Sequence, residues 1–127
     1  MKSGKYMGKL AYALTLYGEN ASVCDLAGLS FEEMPVEMFK ADIVVNLQAG
    51  VRSILERREP ARVFFENALW RLTDKILIGD EVGAGIVPMD PFERLWRDET
   101  GFVYQTIAAR ADIVDRVWAG LPARLKG

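Results

Sequence analysis

A chain of 127 residues with half its side chains hydrophobic and 27% charged has the size and composition of one globular domain spanning 1–127. Its net charge of −2 gives no electrostatic ground for nucleic acid or an anionic membrane as partner, and no apolar run approaches the ~20 residues that cross a bilayer. The absence of histidine excludes His-based triads, His metal sites and histidine-bound intermediates, while the single Cys24 has no partner for an internal disulfide and fits a reducing cytoplasm.

The amino-terminal segment is basic and lacks the apolar core of a signal peptide. From Tyr6, the residues Leu10, Ala13, Leu14 and Tyr17 recur at helical spacing, which predicts a helix ending near Gly18. Just before it, Ser3-Gly4-Lys5 matches the tail of a phosphate-binding loop, although the upstream glycine and strand are not in this sequence and Tyr6 stands where a hydroxyl should reach Mg²⁺. Residues 21–28 read as a short strand with a small-residue turn. Ser30-Phe-Glu-Glu33 has the form of a capping box and opens a helix. A second strand is predicted over 41–47, followed by Gln48-Ala-Gly50 as a turn and a helix from about Val51 to Glu59. Beyond Pro60 another amphipathic helix runs to about Thr73, and Phe64, Phe65 and Trp70 enlarge its apolar face for a core or a subunit contact.

Ile76-Leu-Ile78 is an unbroken apolar run, expected to be a strand buried on both faces. It delivers Asp80 and Glu81 into a loop containing Gly83, Gly85 and Pro88. Asp90 as N-cap and Pro91 at the first helical position start a long helix to about Ala111, with Leu95, Phe102, Ile107 and Ala108 expected toward the buried side. Residues 112–118 read as an edge strand, because Asp115 and Arg116 are too polar for a doubly buried one. Strands alternating with helices predict an α/β fold in three layers, a mostly parallel sheet of about four strands with helices on both faces. Glycine recurs at the strand exits Gly28, Gly50, Gly79 and Gly120, either to turn the chain or to make room for a ligand at the carboxyl edge.

Asp80-Glu-Val-Gly-Ala-Gly-Ile-Val-Pro88 resembles the Asn-Glu-Val-Gly-x-Gly-Ile-Val-Pro signature of the adenosylcobinamide kinase/adenosylcobinamide-phosphate guanylyltransferase family. The likeness continues through Arg94, Arg97-Asp98, Gly101, Gln105, Ala111-Asp112 and the closing Ala119-Gly-Leu-Pro122. It implies a P-loop NTPase-like fold, here incomplete, and a homotrimer working late in cobalamin biosynthesis. Its substrates would be GTP or ATP with Mg²⁺ and a corrinoid. Such enzymes phosphorylate adenosylcobinamide and then transfer GMP through a guanylylated histidine. The resemblance makes Ser3, Gly4, Lys5 and Gly83 candidates to hold phosphate, Arg94 and Arg97 candidates to contact it, and Glu81 and Asp80 the candidate catalytic carboxylates. Arg94 and Arg97 are equally suited to ion pairs with Glu93 or Asp98, and Glu81 to capping its own loop.

The departures from the family point the other way. The guanylyl-accepting histidine has no counterpart, Asn46 is the nearest match to the family's metal-side acid, and Asp80 replaces asparagine. The sequence reads as a truncated, degenerate member: either its coding start lies upstream or it is a reduced homologue. The expectation is a nucleotide-binding relative that has lost guanylyl transfer and is impaired or inactive as a kinase. The competing reading is a non-catalytic, oligomeric binding or assembly protein on the same scaffold.

Overall fold

The computed structural model describes residues 7–82, 90–118 and 121–127. Ile43–Val45, three β-branched residues in a row, forms strand β2 at the centre of a parallel sheet, and all three side chains are fully buried. Strand β1 (Val23–Asp25) and strand β3 (Ile76–Leu77) flank it, in the order β1-β2-β3. Val23, Cys24 and Asp25 pair with Ile43, Val44 and Val45, while Ile43 and Val44 pair with Ile76 and Leu77.

Alternation along these strands divides the core in two. Val44 and Cys24 face helices α2 (Glu33–Met38), α3 (Leu47–Glu56), α4 (Ala61–Ala68) and α5 (Pro91–Arg110), through Met34, Met38, Val51, Ile54, Phe65 and Val103. Ile43, Val45 and Ile78 face helix α1 (Met7–Tyr17), through Leu10, Ala13 and Leu14. The expected α/β architecture with helices on both faces is therefore present. Its local signals also operate: Gly18 closes α1 at φ 132°, its N–H donating to Leu14 O (2.9 Å). In the capping box the Ser30 N–H donates to Glu33 Oε1 (2.9 Å) and the Glu33 N–H to Ser30 Oγ (3.2 Å). Asp90 Oδ1 accepts from the N–H groups of Phe92 and Glu93.

Four expectations change. Within the described sheet β3 is an edge, with Ile76 and Leu77 only half-buried, and the doubly buried strand is β2. Helix α3 starts at Leu47, so Gln48-Ala-Gly50 is helical and not a turn; Asn46, at φ 63° and ψ 49°, bends the chain straight from strand into helix. The buried face of α5 is Trp96, Thr100, Val103, Tyr104 and Ile107, whereas Leu95 and Phe102 are each 45% exposed. Finally, strand β4 (Val114–Trp118) does not edge the parallel sheet. It pairs antiparallel with strand β5 (Leu121–Lys126), from Val114–Lys126 to Trp118–Leu121. β5 follows β4 so closely in sequence that it is the nearest source of backbone partners. Asp115 accepts from Tyr12 Oη on α1 (2.7 Å) and pairs with Arg124, its cross-strand neighbour on β5, which accommodates its charge. Of the aromatic trio, Phe65 is core, Phe64 packs on it edge-to-face at 5.2 Å, and Trp70 is exposed.

Candidate functional site

Parallel strands bring their carboxyl ends to one edge, and here those ends carry Asp25, Asn46 and, two residues beyond Ile78, Asp80. A single hydrogen-bonded chain joins them. Asp25 Oδ1 accepts from the Ala27 N–H (2.9 Å) and from Asn46 Nδ2 (2.8 Å). Asn46 Oδ1 accepts from Gln48 Nε2 (3.0 Å), and Gln48 Oε1 accepts from the Asp80 N–H (3.0 Å). The two ends fix the direction: a carboxylate only accepts and a backbone N–H only donates, so both amides are oriented without ambiguity.

The Asp80 end is anchored further. Tyr104 Oη on α5 donates to Asp80 O (2.5 Å), and Lys9 Nζ on α1 lies 3.1 Å from Asp80 Oδ1. Both side chains of that ion pair are largely covered, 26% and 12% exposed respectively. Gly79 makes the Tyr104 contact possible, since a Cβ there would stand 2.2 Å from the tyrosine oxygen. Trp96 Nε1 donates to Gln48 O (2.8 Å). Arg52 on α3 stacks over Phe92 and Trp96 and grips Glu93 with two hydrogen bonds, of 2.7 and 3.2 Å, so the start of α5 is held against the same helix that bears Gln48.

Among the sequence candidates, the structure brings Asp80 into this network and sets the exposed Glu81 beside it, near enough to raise the Tyr104 pKa. Arg97 pairs with Asp98 at 3.0 Å, one of the two roles its position allowed, and Arg94 lies in the first turn of α5. Glu93, the other proposed arginine partner, is taken by Arg52. Ser3, Gly4, Lys5 and Gly83 lie outside the described residues. Two open grooves run beside α5, one past Arg52, Pro60 and Leu95 and one past Arg62, Phe102 and Gln105; neither is lined by the strand exits. Among the described residues no helix is long and apolar enough to cross a membrane.

A family model described as cobinamide kinase / cobinamide phosphate guanyltransferase matches residues 49–125. The chain belongs to that family. It is also similar to the bifunctional adenosylcobalamin biosynthesis protein CobP of Pseudomonas aeruginosa, 44% identical over 52 residues, which cover 41% of this chain and 30% of that protein. The matched part thus spans less than a third of the relative's length. The family match takes in Asp80, Tyr104 and the whole of α5, whereas Lys9, Asp25, Asn46 and Gln48 precede it.

Sequence reasoning missed Lys9, Asp25, Gln48 and Tyr104. Asp25 carried a signal, a lone carboxylate ending an apolar strand, as Asn46 is a lone amide ending the next. Lys9 and Tyr104 carried none, because each reaches Asp80 across a large separation in sequence, 71 and 24 residues.

Burial, followed by the charges of Asp80 and Glu81, pushes the Tyr104 hydroxyl well above the ordinary tyrosine value of 10. A raised folded-state pKa gives stability that is complete below the unfolded value and is lost as pH rises toward the folded one. Stability is therefore expected to fall from about pH 10 upward as the unfolded chain loses a proton that the folded chain keeps. Tyr104→Phe should flatten that alkaline limb in urea titrations, and an unchanged slope would remove Tyr104 as its source.

Proposed function

We propose that this chain is a cobinamide kinase/guanylyltransferase-type protein of cobalamin biosynthesis that binds a nucleotide, GTP or ATP, and has lost guanylyl transfer. The observation that carries this reading is the convergence of three parallel strand exits on one hydrogen-bonded network whose last member, Asp80, opens the family motif. Asp80 and Glu81 are the polar groups of choice beside the phosphates. Ser3, Gly4, Lys5 and Gly83 would cradle those phosphates by backbone N–H groups and an ammonium, with Arg94 and Arg97 on the flank.

Guanylyl transfer is excluded from the proposal because no residue of this chain is a histidine, the nucleophile of the family's second step. Kinase chemistry is weakened by Asn46, a neutral amide and the nearest match to the family's metal-side acid, and by the bulky Tyr6 in place of the small Mg²⁺-binding hydroxyl. A corrinoid as second ligand, and a homotrimer, belong to the same reading.

Titration calorimetry of the full chain with GTP and with ATP tests it. A dissociation constant on the order of 10 μM is expected, weakened at least about tenfold by Lys5→Ala, with no GMP bound covalently to the protein after incubation with GTP. Absence of binding to both nucleotides would select the other reading, an assembly or binding protein on the same scaffold.

A further inference from the structure

The family resemblance brings Mg²⁺ with it, and the described residues do not fit that ion. Mg²⁺ demands near-octahedral oxygen ligands at about 2.0–2.1 Å, including one or two carboxylates. Asp80 Oδ1 already faces an ammonium, that of Lys9, and a divalent cation bound there would sit against a like charge. The Asp80 backbone is fixed beside this lysine, its N–H held by Gln48 and its carbonyl by Tyr104, and its side chain is only 12% exposed. Asp25, the other carboxylate of the network, is committed to Ala27 and Asn46, and two neutral amides separate it from Asp80. Asn46 Oδ1 is occupied by Gln48. Among the described residues no group of three or more Cys, Asp or Glu side chains is placed to hold a metal.

We infer that Lys9 takes the place of a divalent cation at Asp80, so that the carboxyl edge of the sheet meets an anionic ligand with a lysine ammonium and not with a protein-held Mg²⁺. Local preference does not explain where this lysine is. Lys9 lies in the first turn of α1, where the helix dipole disfavours a cation, so its position is set by tertiary contact. One turn later, on the same side of α1, Ala13 is buried against Ile43, Val45 and Ile78. That docking delivers the lysine stem to the exit of β3. An ammonium has three donors, and with one directed at Asp80 it has others to offer a phosphate oxygen. The pair therefore resolves the conflict posed by Asp80, a negative charge where the family signature has a neutral asparagine. The inference deepens the nucleotide reading and rests on it for the identity of the anion, but the metal half is testable with no nucleotide present.

Titration of the full chain with Mn²⁺ alone, followed by the electron paramagnetic resonance of the free ion, is the test. The wild type is expected to show no saturable site tighter than about 1 mM, with Asp80→Asn and Lys9→Arg indistinguishable from it. Lys9→Met should bind Mn²⁺ at least about tenfold more tightly than wild type, a gain abolished by adding Asp80→Asn. A wild-type site tighter than about 1 mM that Asp80→Asn weakens would overturn the inference, as would a natively folded Lys9→Met with unchanged Mn²⁺ affinity. If Lys9→Met fails to fold, the wild-type, Asp80→Asn and Lys9→Arg titrations still decide. In a separate arm, GTP and ATP should bind within about threefold as well in EDTA as in Mg²⁺, and a tenfold gain from Mg²⁺ counts against Lys9. Failure of both nucleotides to bind ends the nucleotide reading and leaves the Mn²⁺ results to stand or fall separately.

Discussion

Gly79→Ala is expected to destabilise the protein by about 2–4 kcal/mol, a fall in melting temperature on the order of 10 °C for a chain of this size. The new Cβ would lie 2.2 Å from Tyr104 Oη, 2.6 Å from its Cζ and 2.9 Å from a ring Cε1. The backbone is not the cause, since Gly79 is not among the described glycines at positive φ. The cost comes from the ring, which packs against the larger core cluster and is tied to Asp80 O, so it moves only by giving up both. Tyr104→Phe would not relieve the clash, because the ring carbons are also too close. Tyr104→Leu should, so the double variant Gly79→Ala/Tyr104→Leu is expected to lose less stability than the sum of the single changes. Urea unfolding of the four proteins gives the coupling. A Gly79→Ala protein as stable as wild type would mean that Tyr104 does not stand against this glycine.

Gln48→Leu should cost about 2–3 kcal/mol, because a side chain of similar size removes a donor and an acceptor at once. It would strand the Asp80 N–H and Asn46 Oδ1, two groups that Gln48 alone connects. Gln48→Glu separates the two losses. It keeps an acceptor for the Asp80 N–H but cannot donate to Asn46, and it sets a second negative charge beside Asp80. If the network orders the exit loop for a nucleotide, both variants should weaken GTP or ATP binding about tenfold as well. Stability lost with nucleotide affinity intact would limit Gln48 to a structural role.

Sequence and structure agree where a signal is local. The reciprocal Ser30–Glu33 bonds, the Asp90 cap with Pro91 behind it and the glycine end of α1 are each decided within a few residues, so the chain announces them. They diverge where a neighbour decides. Gly50 looked like a turn at a strand exit, yet it is helical, and a Cβ there would stand 2.6 Å from the buried Leu26. Leu95 and Phe102 had as good a claim to the buried side of α5 as any residue. Trp96 and Val103, one position along each, took it because α3 offers the indole a carbonyl at Gln48 and the core leaves room for the valine. A ~100° rotation separates the two faces, and a helix with apolar residues on both carries no instruction for choosing between them.

By itself the sequence determined the α/β class, the family, the absence of histidine from these 127 residues and the carboxylate at the third strand exit, since runs, caps, motifs and composition are properties of the chain alone. Only the tertiary structure decided which strand is central in the described sheet, which face of α5 is inside, and that β4 pairs with β5 and not with the parallel sheet, because those outcomes depend on what packs nearby. It also decided the chemistry of Asp80. A carboxylate read from sequence is a negative charge awaiting a cation; folded, it has one already, delivered by Lys9 from 71 residues away.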